Sequence, residues 1–140
     1  MKILLLCTGN SCRSQMAEGF LKSFDSNLKV FSAGTNPEKA VSPFAIQVMN
    51  EIGIDISSYT TSNVENYLGM DFDYVITVCD HAKETCPVFL GKVKHRLHIA
   101  FDDPAEAVGS EKDILIVFRR VRDEIKSQFF EFYNTQLNVK

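Results

Sequence analysis

The chain has no tryptophan, only four prolines in 140 residues, and no apolar run of membrane-spanning length. Its first apolar stretch, Ile3 to Leu6, falls far short of the roughly 20 residues a bilayer helix needs. It is equally short for a secretory hydrophobic region, and no small-residue cleavage site follows it. Basic excess is absent too: the net charge is -3, which argues against a surface that tracks nucleic-acid phosphates. Internal repeats, low-complexity tracts and linkers are also missing. These absences lead to the expectation of one domain over residues 1–140, a monomer in the cytoplasm, with no membrane and no nucleic-acid partner. In that reducing compartment the four cysteines are not expected to be structural staples. They stand in two pairs, Cys7 with Cys12 and Cys79 with Cys86, a usage that points to catalysis, redox switching or metal.

What is present is an alternation of strand and helix patterns. Lys2 to Leu6 is a continuous apolar run of the kind a strand buried on both faces shows, and it stops at the turn-forming Cys7-Thr8-Gly9-Asn10-Ser11. A helix is expected from Arg13 or Ser14, with Met16, Ala17, Phe20, Leu21 and Phe24 at helical spacing. Lys29 to Ala33 reads as a second strand closed by Gly34. Ser42-Pro43 starts another helix, with Phe44, Val48 and Ile52 on one stripe and Gly53 as its terminator. Tyr74 to Val78 and Lys94 to Ile99 read as two further strands. From Ser110 a long amphipathic helix aligns Ile114, Phe118, Val121, Ile125, Phe129 and Phe132. The fold class expected is α/β, a central four-stranded parallel sheet with helices on both faces. Ligands of such sheets bind beyond the carboxyl ends of the strands. Cys7, Cys79 and Asp102-Asp103-Pro104 all fall at such ends.

The segment Cys7-Thr8-Gly9-Asn10-Ser11-Cys12-Arg13-Ser14, between a buried strand and a helix, has the chemistry of an anion cradle. Successive backbone N–H groups point into a tight turn, and the helix N-terminus adds partial positive charge. Gly9 lets the backbone bend, and the planar fork of Arg13 grips two oxygens of a tetrahedral anion. The same field favours a thiolate at Cys7, to which Ser14 can donate a hydrogen bond. An inert buried thiol would leave the Gly-Asn-Ser turn and Arg13 without a purpose. Cys12, inside the cradle, contributes its backbone N–H, and its thiol is taken as a bystander. Displacing oxygen from a tetrahedral anion also needs a proton donor, and an Asp held extended before a proline suits that role.

Residues 7 to 18, Cys-Thr-Gly-Asn-Ser-Cys-Arg-Ser-Gln-Met-Ala-Glu, closely resemble the loop of the thioredoxin-coupled arsenate reductases, which share the low-molecular-weight protein tyrosine phosphatase fold. The likeness continues through Phe31-Ser32-Ala33-Gly34, Gly53-Ile54-Asp55-Ile56-Ser57, the Cys79 to Pro87 segment, Phe101-Asp102-Asp103-Pro104-Ala105 and Arg120-Val121-Arg122-Asp123-Glu124-Ile125. It implies that Cys7 attacks arsenate, that Asp103 is the acid with Asp102 bracing its loop, and that Cys79 attacks the Cys7–arsenic adduct. Cys86 then draws the disulfide outward, to be reduced by thioredoxin or a related thiol system. No cofactor is implied. A helix over residues 80 to 86 would hold the Cys79 and Cys86 Cα atoms about 10 Å apart. A disulfide tolerates about 7 Å, so that segment is expected to unwind on oxidation.

Three other readings are weaker. Zinc held by the cysteines with His81, His95 and His98 would place a cation against Arg13. A pure redox sensor has no use for Arg13 or Asp103. Tyrosine phosphatase action through Cys7, Arg13 and Asp103 is the serious alternative, but Ala105-Glu106-Ala107 supplies no ring to stack on a phenol. A weak phosphatase side activity is expected from the likeness of phosphate to arsenate. Some reductases of the family hold potassium, and Asn10, Glu18 and Ser32 match those positions. Asn63 stands where the family has Asp, so any such site is expected to be weak. The family's Trp before Phe-Asp-Asp-Pro is also missing here.

Overall fold

The computed structural model describes residues 1–80 and 88–138. Four strands, β1 (Lys2–Cys7), β2 (Lys29–Gly34), β3 (Phe72–Thr77) and β4 (Val93–His98), form one sheet in the order β2-β1-β3-β4. Every pairing is parallel. Three α-helices, α1 (Arg13–Phe24), α2 (Pro43–Asn50) and α3 (Glu111–Phe132), complete the frame. After β2 the chain returns across β1 to build β3 on its other side, so the topological switch point lies at the carboxyl end of β1.

The period-2 alternation of a strand explains the two cores. Ile3 and Leu5 point to one face, where Met16 and Phe20 of α1, Val48 of α2 and Val121, Ile125 and Phe129 of α3 meet them, all fully buried. Each such side chain stabilises the fold by roughly 1.5–3 kcal/mol. Leu4 and Leu6 point the other way, onto Ala33, Phe72, Val75 and Phe89. The three α-helices share the first face. On the second, the described helix is the short 3-10 turn Val64–Tyr67, whose Tyr67 ring meets Phe31 and Phe72. The covering expected on both faces is there, unequal in kind.

Pro43 opens α2 as expected, but Ser42 makes no side-chain capping bond there and turns toward Cys12 instead. Ser110 and Asp113 form a reciprocal capping box at the start of α3. Gly53, at φ 81, closes α2: its N–H donates to Asn50 O at 3.0 Å and that of Ile54 to Met49 O at 3.1 Å, a Schellman pair. The stripe of α2 is shifted from the expected one. Ala45, Val48 and Met49 are the buried residues, Phe44 is half-buried, and Ile52 lies past the helix end in the exposed closing turn. The expected helix over residues 80 to 86 lies outside the described residues apart from Asp80.

Gly34 ends β2 where the chain passes closest to the loop after β1. A Cβ there would stand 2.3 Å from Thr8 O and 3.1 Å from Cys7 O, both backbone atoms with no freedom to retreat. Gly34→Ala is therefore expected to cost about 2 kcal/mol or more. It should also weaken phosphate binding at the loop. Urea unfolding and phosphate titration check this; an unchanged urea midpoint would contradict it.

Candidate active site

The loop from Thr8 to Cys12 is inverted by what lies outside it. Thr8 O accepts from Asn36 N–H at 3.0 Å, Gly9 O from Glu38 N–H at 2.9 Å, and Ser11 O from Ser42 N–H at 2.9 Å. Asn10 O accepts from Gln15 Nε2 at 2.9 Å and Cys12 O from Met16 N–H at 2.9 Å. With its carbonyls tied outward, the loop leaves its N–H groups to converge on the interior. Asn10 makes the turn at φ 52, the one positive φ outside glycine among the described residues, in a region asparagine tolerates better than most side chains. No side chain caps the start of α1, so its first N–H groups also remain for a ligand.

At the floor lies Cys7, 2% exposed. Its Sγ accepts from Asn10 N–H at 3.1 Å and lies 3.0 Å from Ser14 Oγ. The direction of that second bond follows from its neighbour: Asn10 Nδ2 donates to Ser14 Oγ at 2.8 Å, which leaves the serine hydrogen for the sulfur. Two donors are thus aimed at one sulfur. Asn10 Oδ1 in turn accepts from Ser62 N–H at 2.8 Å, tying the relay to the segment before the Val64–Tyr67 turn.

Arg13 is buried and reaches across from α1 to the loop after β4. Its Nη1 donates to Phe101 O at 3.3 Å, and its Nη2 lies 3.5 Å from Asp103 Oδ2. Asp103 is extended (φ -82, ψ 107), as its place before Pro104 dictates, and caps the following 3-10 turn by accepting from Ala105 N–H at 3.0 Å. Asp102 pairs instead with Arg120, at 3.0 Å. Residues 7 to 13 and Asp103 thus line a single hollow of about 200 Å³, closed by Asn36, Glu38, Ala105 and Glu106. A larger groove of about 510 Å³ adjoins it but is apolar and touches neither Cys7 nor Arg13, so it is not where anion chemistry belongs.

The other cysteines differ in state. Cys12 is a free thiol, and burial, the dominant cause, pushes it up to about 12 against the lowering effect of hydrogen bonds from Ser11 and Ser42. Cys79 is fully buried just beyond β3 and is engaged in a disulfide, while Cys7 is free. Leu6 of β1 pairs in register with Thr77 of β3, so Cys7 and Cys79 leave neighbouring strands at the same rim. Cys86 lies outside the described residues, as does His81. Of the other histidines, His95 stacks on Tyr74 and His98 bonds Thr77 Oγ1 at 2.6 Å. Among the described residues no three His, Cys, Asp or Glu side chains converge as a metal site.

The potassium positions are already engaged. Glu18, 8% exposed, accepts from Ser32 Oγ at 2.7 Å and meets Lys22 Nζ at 2.6 Å, and that ammonium also lies 4.8 Å from the Tyr59 ring centroid. Asn63 Oδ1 accepts from Glu65 N–H. One carboxylate compensated by a lysine, beside Asn10 and Asn63 side-chain oxygens that already accept from backbone N–H groups, is a poor fit to a potassium ion.

Residues 2–140 match the model of the low molecular weight phosphotyrosine protein phosphatase family, and the chain belongs to that family. Within it the similarity runs to arsenate reductases. The chain is 46% identical over 134 residues to an arsenate reductase of Halalkalibacterium halodurans, covering 95% of each. A solved arsenate reductase in the phosphate binding state superposes with a TM-score of 0.79 at 34% identity, covering 95% of this chain and 96% of that one. A thioredoxin-dependent arsenate reductase of Corynebacterium glutamicum superposes at 0.63 with 25% identity, over 96% of this chain and 63% of the other.

Sequence reasoning did not find Asn36, Glu38, Ser42 and Ser62 around the loop. Gly34-Thr35-Asn36-Pro37 announces a turn, but nothing in it says that the turn folds back onto Thr8 and Gly9. Two outcomes follow. In the reduced protein near pH 8, iodoacetamide is expected to label Cys7 and leave Cys12 untouched; mass-mapped labelling of Cys12 at a similar rate would contradict the assignment of Cys7, with its two hydrogen-bond donors, as the reactive sulfur of the loop. Turnover and Tm are expected to be equal in potassium and sodium salts of matched ionic strength, and a rise specific to potassium would contradict the assignment of Glu18 to Lys22.

Proposed function

We propose that this chain reduces arsenate to arsenite, as a monomer in the cytoplasm, with a thioredoxin-type dithiol as electron donor. One observation carries the reading: a cysteine sulfur at the floor of an amide-lined hollow, with a guanidinium and a pre-proline carboxyl from a separate segment on the same cavity. Arsenate enters the cradle and takes its hydrogen bonds from the loop N–H groups and from Arg13. The Cys7 thiolate forms an S–As bond as one oxygen leaves, protonated by Asp103, as water. The Cys79 thiolate then attacks Cys7 Sγ. The electron pair of the S–As bond goes to arsenic, which departs as arsenite, and a Cys7–Cys79 disulfide remains.

Cys86 next attacks Cys79, frees Cys7 and leaves a Cys79–Cys86 disulfide for the dithiol partner. A free Cys7 beside a Cys79 already in disulfide linkage is the combination the end of this sequence would leave, which supports the order. The thioredoxin dependence of the Corynebacterium relative supports the choice of donor. Phosphate ester hydrolysis needs only Cys7, Arg13 and Asp103 and is expected as a side activity.

The test is a cysteine series assayed with arsenate and a thioredoxin system, and separately with p-nitrophenyl phosphate. Cys7→Ser is expected to lose both activities. Cys79→Ser is expected to lose even one arsenate turnover while hydrolysing the ester. Cys86→Ser keeps a single turnover and loses the multiple-turnover reaction. Asp103→Asn lowers kcat by about 10²- to 10⁴-fold. Multiple arsenate turnovers by Cys79→Ser would sink the relay.

A further inference from the structure

The wall of the hollow holds two carboxylates that the reaction does not use, Glu38 and Glu106. The backbone of Glu38 is clamped on both sides: its N–H donates to Gly9 O at 2.9 Å, and its carbonyl accepts from Thr61 Oγ1 at 2.7 Å. Its side chain then crosses directly over the loop glycine. A Cβ on Gly9 would stand 3.3 Å from Glu38 Cγ and 3.8 Å from Oε1. Glu106 is set from a different segment. It ends the rigid turn Pro104–Glu106, and its N–H donates to Asp103 O at 3.2 Å. Both side chains are exposed at the mouth.

The charge inventory is unexpected for an anion site. Among the described residues lining the hollow, Arg13 is the one cation, against Asp103, Glu38 and Glu106. Lys39 lines the neighbouring apolar groove instead. A cavity shaped only to capture anions would gain from lysine at the two mouth positions, because local potential sets the encounter rate.

The geometry points to Glu38 and Glu106 as specificity-determining residues, an anionic collar that admits a small mineral oxyanion and rejects phosphate monoesters, above all those on acidic peptides. The inference rests on the reading of the hollow as the arsenate site. A mineral oxyanion sinks into the cradle, where short, aligned N–H donors outweigh a repulsion that water screens at the mouth. A monoester must pass its organic group between the two carboxylates and strip water from them, with no aromatic face to compensate. Acidic flanking residues add like-charge contact. Selectivity of this kind comes from a repulsive element directed at the wrong ligand, at some cost in capture of the right one.

Glu38→Gln, Glu106→Gln and the double variant test this, with kcat/KM measured for arsenate, for p-nitrophenyl phosphate and for a phosphotyrosyl peptide flanked by acidic residues. At about 0.02 M ionic strength the double variant is expected to gain roughly threefold toward arsenate and about tenfold or more toward the acidic phosphopeptide. Both gains should shrink toward unity at about 0.5 M salt. An unchanged peptide-to-arsenate ratio, or gains that ignore salt, overturns the collar. Arg13→Ala run alongside separates the two levels. If that variant turns over arsenate normally, the hollow is not the site and the collar falls with it. If that variant is inactive and the double variant shows no gain, the collar alone is wrong.

Discussion

The outward anchoring of the loop carbonyls is the constraint on which everything else in this molecule depends. Peptide groups are dipoles, and a loop can present its N–H ends inward only if the C=O ends are satisfied elsewhere. Here Asn36, Glu38 and Ser42 supply that satisfaction from the segment after β2, with Gln15 and Met16 supplying it from α1. The resulting concavity sits at the start of an uncapped helix, so amide dipoles and the helix terminus add in the same direction. The sulfur of Cys7 shares that field through Asn10 N–H and the Asn10–Ser14 relay.

The sheet serves this arrangement by placement. Because β1 lies between β2 and β3, the loop leaving it opens at the switch point, flanked by Gly34 on one side and by Cys79 on the other. Gly34 has no Cβ because Thr8 O occupies that space. The buried face under α1 and α3 keeps the helix carrying Arg13 from shifting, and Arg13 in turn reaches Phe101 O and Asp103 in the loop beyond β4. Cys7, the amide-lined loop and Asp103 are thus held by three segments that share one core.

Two features separate this site from a generic phosphoanion pocket. Burial pushes the Cys12 thiol up, which sets it apart from the Cys7 sulfur held by Asn10 and Ser14 at the floor of the hollow. The mouth carries Glu38 and Glu106 in place of aromatic rings or lysines, a composition that favours a bare mineral oxyanion over an ester.

Much of this was legible in the residues. The continuous apolar run of β1, the stripe of α3, the Ser110 cap and the Gly53 terminator are local signals, and each acts within its own few residues, so sequence carries them. The Cys7 to Ser14 loop and the extended Asp103 are equally local, because turn chemistry and the proline rule act on adjacent residues. Tertiary structure alone decided which N–H groups of the segment after β2 hold the loop open, that Asp102 turns to Arg120, and that Glu38 lies over Gly9. Those contacts join residues between 18 and 31 positions apart. No local propensity encodes them, since they exist only once the sheet has brought the strand ends to one rim.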